Sequence, residues 1–221
     1  VAVYHRFIEK DLPKYEAYLF PKSGPIPKDS IAVAAAFGVA RIDDKKAEPL
    51  QKQLVETVEP VPMEMRIFGA IALGRTKDKA HVATLDTLSK SGTSYTRAAA
   101  LYALGEIGEP SSRASIETTV QSATDPVVRA MAVLSFARTS TPAKKGGKGI
   151  TPTDAQIGTL TEGVLDPNDR VRRASTIALA ALAAGEFRAV ADPLPVPEGT
   201  ITSEATIAAL IPKTYGSADL A

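Results

Sequence analysis

Four segments of the chain can be laid over one another with an arginine at the head of each. They are Arg66-Ile-Phe-Gly-Ala-Ile-Ala-Leu-Gly74, Arg97-Ala-Ala-Ala-Leu-Tyr-Ala-Leu-Gly105, Arg129-Ala-Met-Ala-Val-Leu-Ser-Phe-Ala137 and Arg172-Arg-Ala-Ser-Thr-Ile-Ala-Leu-Ala180. A fifth, Ala32-Val-Ala-Ala-Ala-Phe-Gly-Val-Ala40, fits the same frame with Ala32 in place of the arginine, so the starts lie 34, 31, 32 and 43 residues apart. A period in this range is that of helical repeats, which bury a continuous core only by packing on their neighbours.

Counted from the arginine, the third position is small (Ala35, Gly69, Ala100, Ala132, Ser175) and the fifth large (Phe37, Ile71, Tyr102, Leu134, Ile177). The sixth is small (Gly38, Ala72, Ala103, Ser135, Ala178), the seventh large (Val39, Leu73, Leu104, Phe136, Leu179) and the eighth small (Ala40, Gly74, Gly105, Ala137, Ala180). Such a wide apolar face with small residues at fixed places predicts a helix packed between two others at about 8 to 10 Å. Between these segments run amphipathic stretches at 47–58, 79–90, 112–122 and 154–165, so each period reads as a helical hairpin. Breakers and capping residues mark the turns, as in Pro60-Val61-Pro62, Thr93-Ser94-Tyr95, Asp125-Pro126 and Asp166-Pro167-Asn168-Asp169.

These columns, with Asp125-Pro-Val-Val128-Arg129 and Asp166-Pro-Asn-Asp-Arg-Val171-Arg172, resemble the HEAT and HEAT-like repeat family. Met65-Arg66 and Thr96-Arg97 keep the arginine without the aligned aspartate. The expected fold class is all-α, a right-handed α-solenoid of about five HEAT-like hairpins. The resemblance implies that second helices line a concave face and that Arg66, Arg97, Asp125, Arg129, Asp166 and Arg172 form a structural ladder between successive turns. The competing reading makes the arginine series a ligand stripe for phosphates or acidic peptides, because repeats place equivalent residues in line. The ladder is preferred, since each arginine opens a helix near an aspartate.

The expected organisation is an N-terminal cap segment over 1–28, a repeat region over 29–187 and a Pro-rich linker with a short C-terminal helix over 188–221. The cap holds Tyr4, Phe7, Tyr15, Tyr18 and Phe20, and the C-terminal helix is placed at 203–211. The last expansion to 43 residues comes from an inserted basic loop at 139–153, whose Lys144, Lys145 and Lys148 form a candidate partner contact. Its Gly146-Gly147-Lys148-Gly149 is not a phosphate loop, because the Gly-Lys-Ser/Thr ending is missing. Starting without Met, the chain reads as a processed product or a fragment, so compartment is left open.

Composition narrows the function classes. Twenty-six lysines and arginines against twenty-five acids leave no strong global field, and with no Trp this weighs against nucleic-acid binding. No cysteine is present, which removes disulfides and thiolate chemistry. The only histidines, His5 and His81, are far apart and lack His-Glu or His-x-x-x-His spacing, so neither a metal nor another cofactor is expected, and Glu106 and Glu109 read as solvated carboxylates. No apolar run reaches the roughly 18 to 20 residues of a transmembrane helix. The preferred function is a noncatalytic protein–protein interaction scaffold, a subunit or domain of a larger assembly. The alternative is a HEAT-like enzyme or ligand handler of the bilin-lyase or DNA-glycosylase type.

Overall fold

The computed structural model describes residues 11–42, 44–57, 61–141 and 150–185, and within them the secondary structure is entirely helical. In chain order the helices are α1 (Leu12–Leu19), α2 (Ser30–Ala40), α3 (Glu48–Glu56), α4 (Met63–Thr76), α5 (Val82–Lys90), α6 (Ser94–Ile107), α7 (Pro110–Ser122), α8 (Pro126–Ser140), α9 (Asp154–Gly163) and α10 (Asp169–Ala184). A 3-10 turn, Lys79–His81, precedes α5. The all-α helical-repeat class is thus the one observed, with α2, α4, α6, α8 and α10 carrying the aligned columns. Residues 1–10 of the expected cap, Lys144, Lys145 and Lys148 of the loop, and the expected helix at 203–211 lie outside the described residues.

Local chemistry sets the helix starts. Asp29 precedes α2 and accepts the amide of Ala32 at 2.8 Å, while Tyr18 of α1 donates its hydroxyl to the same carboxylate at 3.1 Å. Burial first, then this hydrogen bond, raises the Tyr18 phenol above its ordinary range. Asp125 accepts the amides of Val127 and Val128, and Pro126 at the first helical position has no N–H to satisfy. Thr153 and Gln156 form a reciprocal capping box on α9. Asn168 caps α10, which ends at Gly185 in the left-handed region (φ 68°).

The chain comprises two compact units, residues 1–103 and 104–221. In the first, α3 packs against α4, α4 against α2, and α1 against α2. Its deepest side chains include Leu19, Leu54, Met65, Leu73 and Leu85. Phe37 of α2 meets Phe68 of α4 with ring centroids 5.4 Å apart. In the second unit, α7 packs on α8, α9 on α10, and α8 on α10, around Leu104, Ile116, Val128, Leu160 and Val171.

The small columns acquire distinct meanings. A Cβ at Gly69, third position of α4, would lie 2.8 Å from Leu54 Cβ and 2.9 Å from the Gln51 carbonyl, both on α3. Ser175, third position of α10, likewise meets Gly163 of α9. The third column is therefore the close approach within one hairpin. A Cβ at Gly74, eighth position of α4, would lie 2.6 Å from Ala103 Cα, and one at Gly105, eighth of α6, 3.0 Å from Ser135 Cβ. Ala103 and Ser135 both hold the sixth position, so an eighth position seats on the sixth of the following repeat.

Candidate functional site

In three of the four repeats the leading arginine reaches carbonyls at the end of its own hairpin's first helix or of the turn after it. Arg66 donates through Nη2 to the Thr57 carbonyl at 2.6 Å, just after α3. Arg97 donates through Nε to the Ser89 carbonyl at 3.0 Å, in the last turn of α5. Arg172 donates through Nη1 to the carbonyls of Asp166 and Pro167, both at 2.9 Å, and through Nη2 to Asp169 at 3.1 Å. Helix C-termini leave unpaired carbonyls that carry partial negative charge, so a guanidinium there both satisfies acceptors and opposes the dipole.

Arg129 does something else: its Nη2 donates to Asp166 Oδ2 at 2.5 Å, joining the start of α8 to the turn before α10. Asp166 also accepts the amide of Asn168 at 2.8 Å and is largely buried, whereas Asp125 accepts the amides at the start of α8. A double-mutant cycle with Arg129→Ala and Asp166→Ala is expected to give a coupling of about 1 to 2 kcal/mol in urea unfolding, more than an exposed pair. A coupling near zero would leave Arg129 available to a ligand.

Several positions differ from their sequence reading. Glu106 is not solvated: its side chain is 9% exposed and pairs with Arg138. The columns pointed to neither, because the pair joins α6 and α8 at the end opposite the leading arginines. Asp169 carries Arg172 and Arg173, and its hydrogen bond to Arg173 is the first cause holding its carboxyl below the usual range.

Arg113, absent from every repeat column, is 5% exposed. Its Nε donates to Glu117 at 2.7 Å and its Nη1 to Ser140 Oγ at 2.7 Å, Thr139 Oγ1 at 3.3 Å and the Ile150 carbonyl at 3.4 Å. The guanidinium also lies 4.1 Å from the Phe136 ring centroid. Thr139 opens the expected insertion and Ile150 lies toward its far end, and the Ile150 amide donates to the Thr139 carbonyl at 3.3 Å. One buried cation therefore ties both ends of the insertion to α7 and α8.

The first unit holds a polar pocket of about 160 Å³, whose wall includes Asp44, Lys45, Glu48, Gln51, Arg75 and Asp78. Gln51 is buried and donates to the carbonyls of Val39 at 3.0 Å and Ile42 at 2.9 Å, closing the end of α2 onto α3. Behind the pocket His81 is buried, with Nε2 2.9 Å from Glu48 Oε1. Glu48, Asp78 and His81 each bring a ligand-type atom within 4.8 Å of the others. Spacing along the chain did not reveal this trio, because Glu48 opens α3 while Asp78, thirty residues later, precedes the 3-10 turn and His81 ends it.

Residues 62–137 match the family model for HEAT repeats. No curated protein matches the chain. Among the described residues, no helix is long and apolar enough to cross a membrane.

Proposed function

We propose that these HEAT repeats form a noncatalytic protein-interaction scaffold, working as a subunit or domain of a larger assembly. HEAT repeats are commonly protein-interaction scaffolds, and residues 62–137 carry them. The observation that weighs most is the occupation of the leading arginines. Arg66, Arg97 and Arg172 hold helix-end and turn carbonyls and Arg129 holds Asp166, which favours a structural role over a stripe for phosphates. The second helices α4 and α8 support the same reading. From Met63 to Gly74 and from Pro126 to Ser140 no side chain is exposed, so these two helices leave recognition to other elements, turns and loops.

The loop lysines Lys144, Lys145 and Lys148 remain the proposed contact for an acidic partner. Purification of the native protein from its source, followed by mass spectrometry and an absorption spectrum, tests the proposal. The expected result is a stoichiometric protein partner, with no chromophore absorbance and no nucleic acid. A bound bilin-like chromophore or nucleic acid without a protein partner would replace the scaffold with the ligand-handling reading, and attention would move to the polar pocket of the first unit.

A further inference from the structure

We propose that Glu48, Asp78 and His81 form a binding site for one divalent transition-metal ion of the zinc type. Three observations in the first unit converge on it. The first is the chemistry of the set: one imidazole nitrogen with two carboxylate oxygens, all mutually within 4.8 Å, is a ligand group suited to zinc and its neighbours. In the tetrahedral shell that zinc prefers, bonds of about 2.1 Å place ligand atoms about 3.4 Å apart. The 2.9 Å between His81 Nε2 and Glu48 Oε1 is within about half an ångström of that spacing.

The second observation is the state of the histidine. His81 is 3% exposed, and neither ring nitrogen has a hydrogen-bond partner, since the approach to Glu48 is off the line that an N–H would need. A buried polar group without a partner loses the hydrogen bonds that water gave it and gains none in return. A cation between Nε2 and the Glu48 carboxylate would give both atoms a ligand bond in place of the missing hydrogen bond.

The third is the arrangement of the carboxylates. Asp78 uses Oδ1 to accept the Ala80 amide at 2.9 Å, which orients the group as the cap of the 3-10 turn and leaves Oδ2 for a ligand. Glu48 and Asp78 both line the pocket, so an ion has a way in and room for a water to complete its shell. Its wall carries three carboxylates against Lys45 and Arg75, and neither of those cations forms an ion pair that would neutralise Glu48 or Asp78. An ion here would join the start of α3 to the turn between α4 and α5, and so act as a staple between two hairpins.

The test uses tag-free full chain stripped with a chelator, then titrated with zinc chloride by calorimetry and with cobalt chloride by visible absorption. One equivalent is expected to bind, with a rise in thermal midpoint and a cobalt d–d band. His81→Gln is expected to abolish both. Because that variant alters a buried site, Asp78→Asn is the decisive one: asparagine keeps the cap but not the charged ligand. It should lower zinc affinity at least about tenfold and leave the thermal midpoint in chelator unchanged. Asp44→Asn, in the same pocket but outside the trio, should bind as the parent does. Absence of stoichiometric binding, or binding that Asp78→Asn and Glu48→Gln both leave intact, would overturn the site.

Discussion

Replacing Arg113 by alanine is expected to cost about 3 to 5 kcal/mol of unfolding free energy in the second unit, the range seen when one partner of a buried charged network is removed. The side chain donates to Glu117, Ser140, Thr139 and the Ile150 carbonyl and stacks on Phe136. Its loss takes a donor from the Ser140 and Thr139 hydroxyls, which keep only their bonds to the Phe136 carbonyl, leaves Glu117 without its cation and opens a cavity against the ring. Arg113→Met separates the contributions, because methionine still covers Phe136 but donates nothing. It should recover about half of the loss, and the remainder measures the hydrogen bonds. Urea unfolding gives the energies, and hydrogen exchange gives a local readout. In both variants the Ile150 amide, which bonds to Thr139 across the base of the insertion, should exchange faster than amides in the middle of α8. A loss below about 1 kcal/mol for Arg113→Ala would show that the network contributes little beyond its desolvation cost.

The second large effect is a change of sign between two helix glycines. Gly74→Ala is expected to destabilise by about 1 to 3 kcal/mol, and Gly74→Val by more than about 3 kcal/mol, despite the roughly 1 kcal/mol that helix propensity favours alanine. The added carbon would lie 2.6 Å from Ala103 Cα and 2.8 Å from its Cβ, contacts with backbone that relax only if α4 and α6 separate. Gly38→Ala, likewise in the last turn of its helix, should stabilise by about 0.5 to 1 kcal/mol, because a Cβ there meets no described atom within 4 Å. Thermal and urea unfolding of the three variants check the pair. Equal effects at positions 38 and 74 would mean that the α4–α6 approach is looser than these distances.

Much of the repeat architecture was legible because it rests on local and periodic signals. A 3.6-residue period shows which face of each helix is apolar, and the third position is buried in all five repeats, as its small side chains implied. Capping residues marked helix starts at Asp125 and Asn168, where a side-chain oxygen needs only an amide two or three residues ahead. The HEAT pattern was readable for the same reason, and the family match covers part of the aligned region.

The partner of each position is another matter. The eighth position of one repeat seats on the sixth of the next, which depends on the register between helices about thirty residues apart and leaves no mark within either. Gly38, at a sixth position, and Gly74, at an eighth, both read only as small, yet one faces open space and the other a backbone. Arg113 sits on an amphipathic helix among serines and threonines, where its neighbours suggest a solvated cation. Only the return of α8 brings Phe136, Thr139 and Ser140 around it. Glu106 is drawn out of solvent by Arg138 in the same way.

The candidate site in the first unit follows this division. The residue types of Glu48, Asp78 and His81 are set by sequence, and so is the cap that holds Asp78. Their convergence is tertiary, because α3 and the turn before α5 meet only when the hairpins pack, and burial then strips His81 of the water that would otherwise satisfy it. By itself the sequence determined the helices, their buried faces and their caps, since these depend on neighbours within four residues. Tertiary packing alone decided which small residues became close approaches and which charged groups met, since contact and desolvation depend on distances between helices remote in the chain.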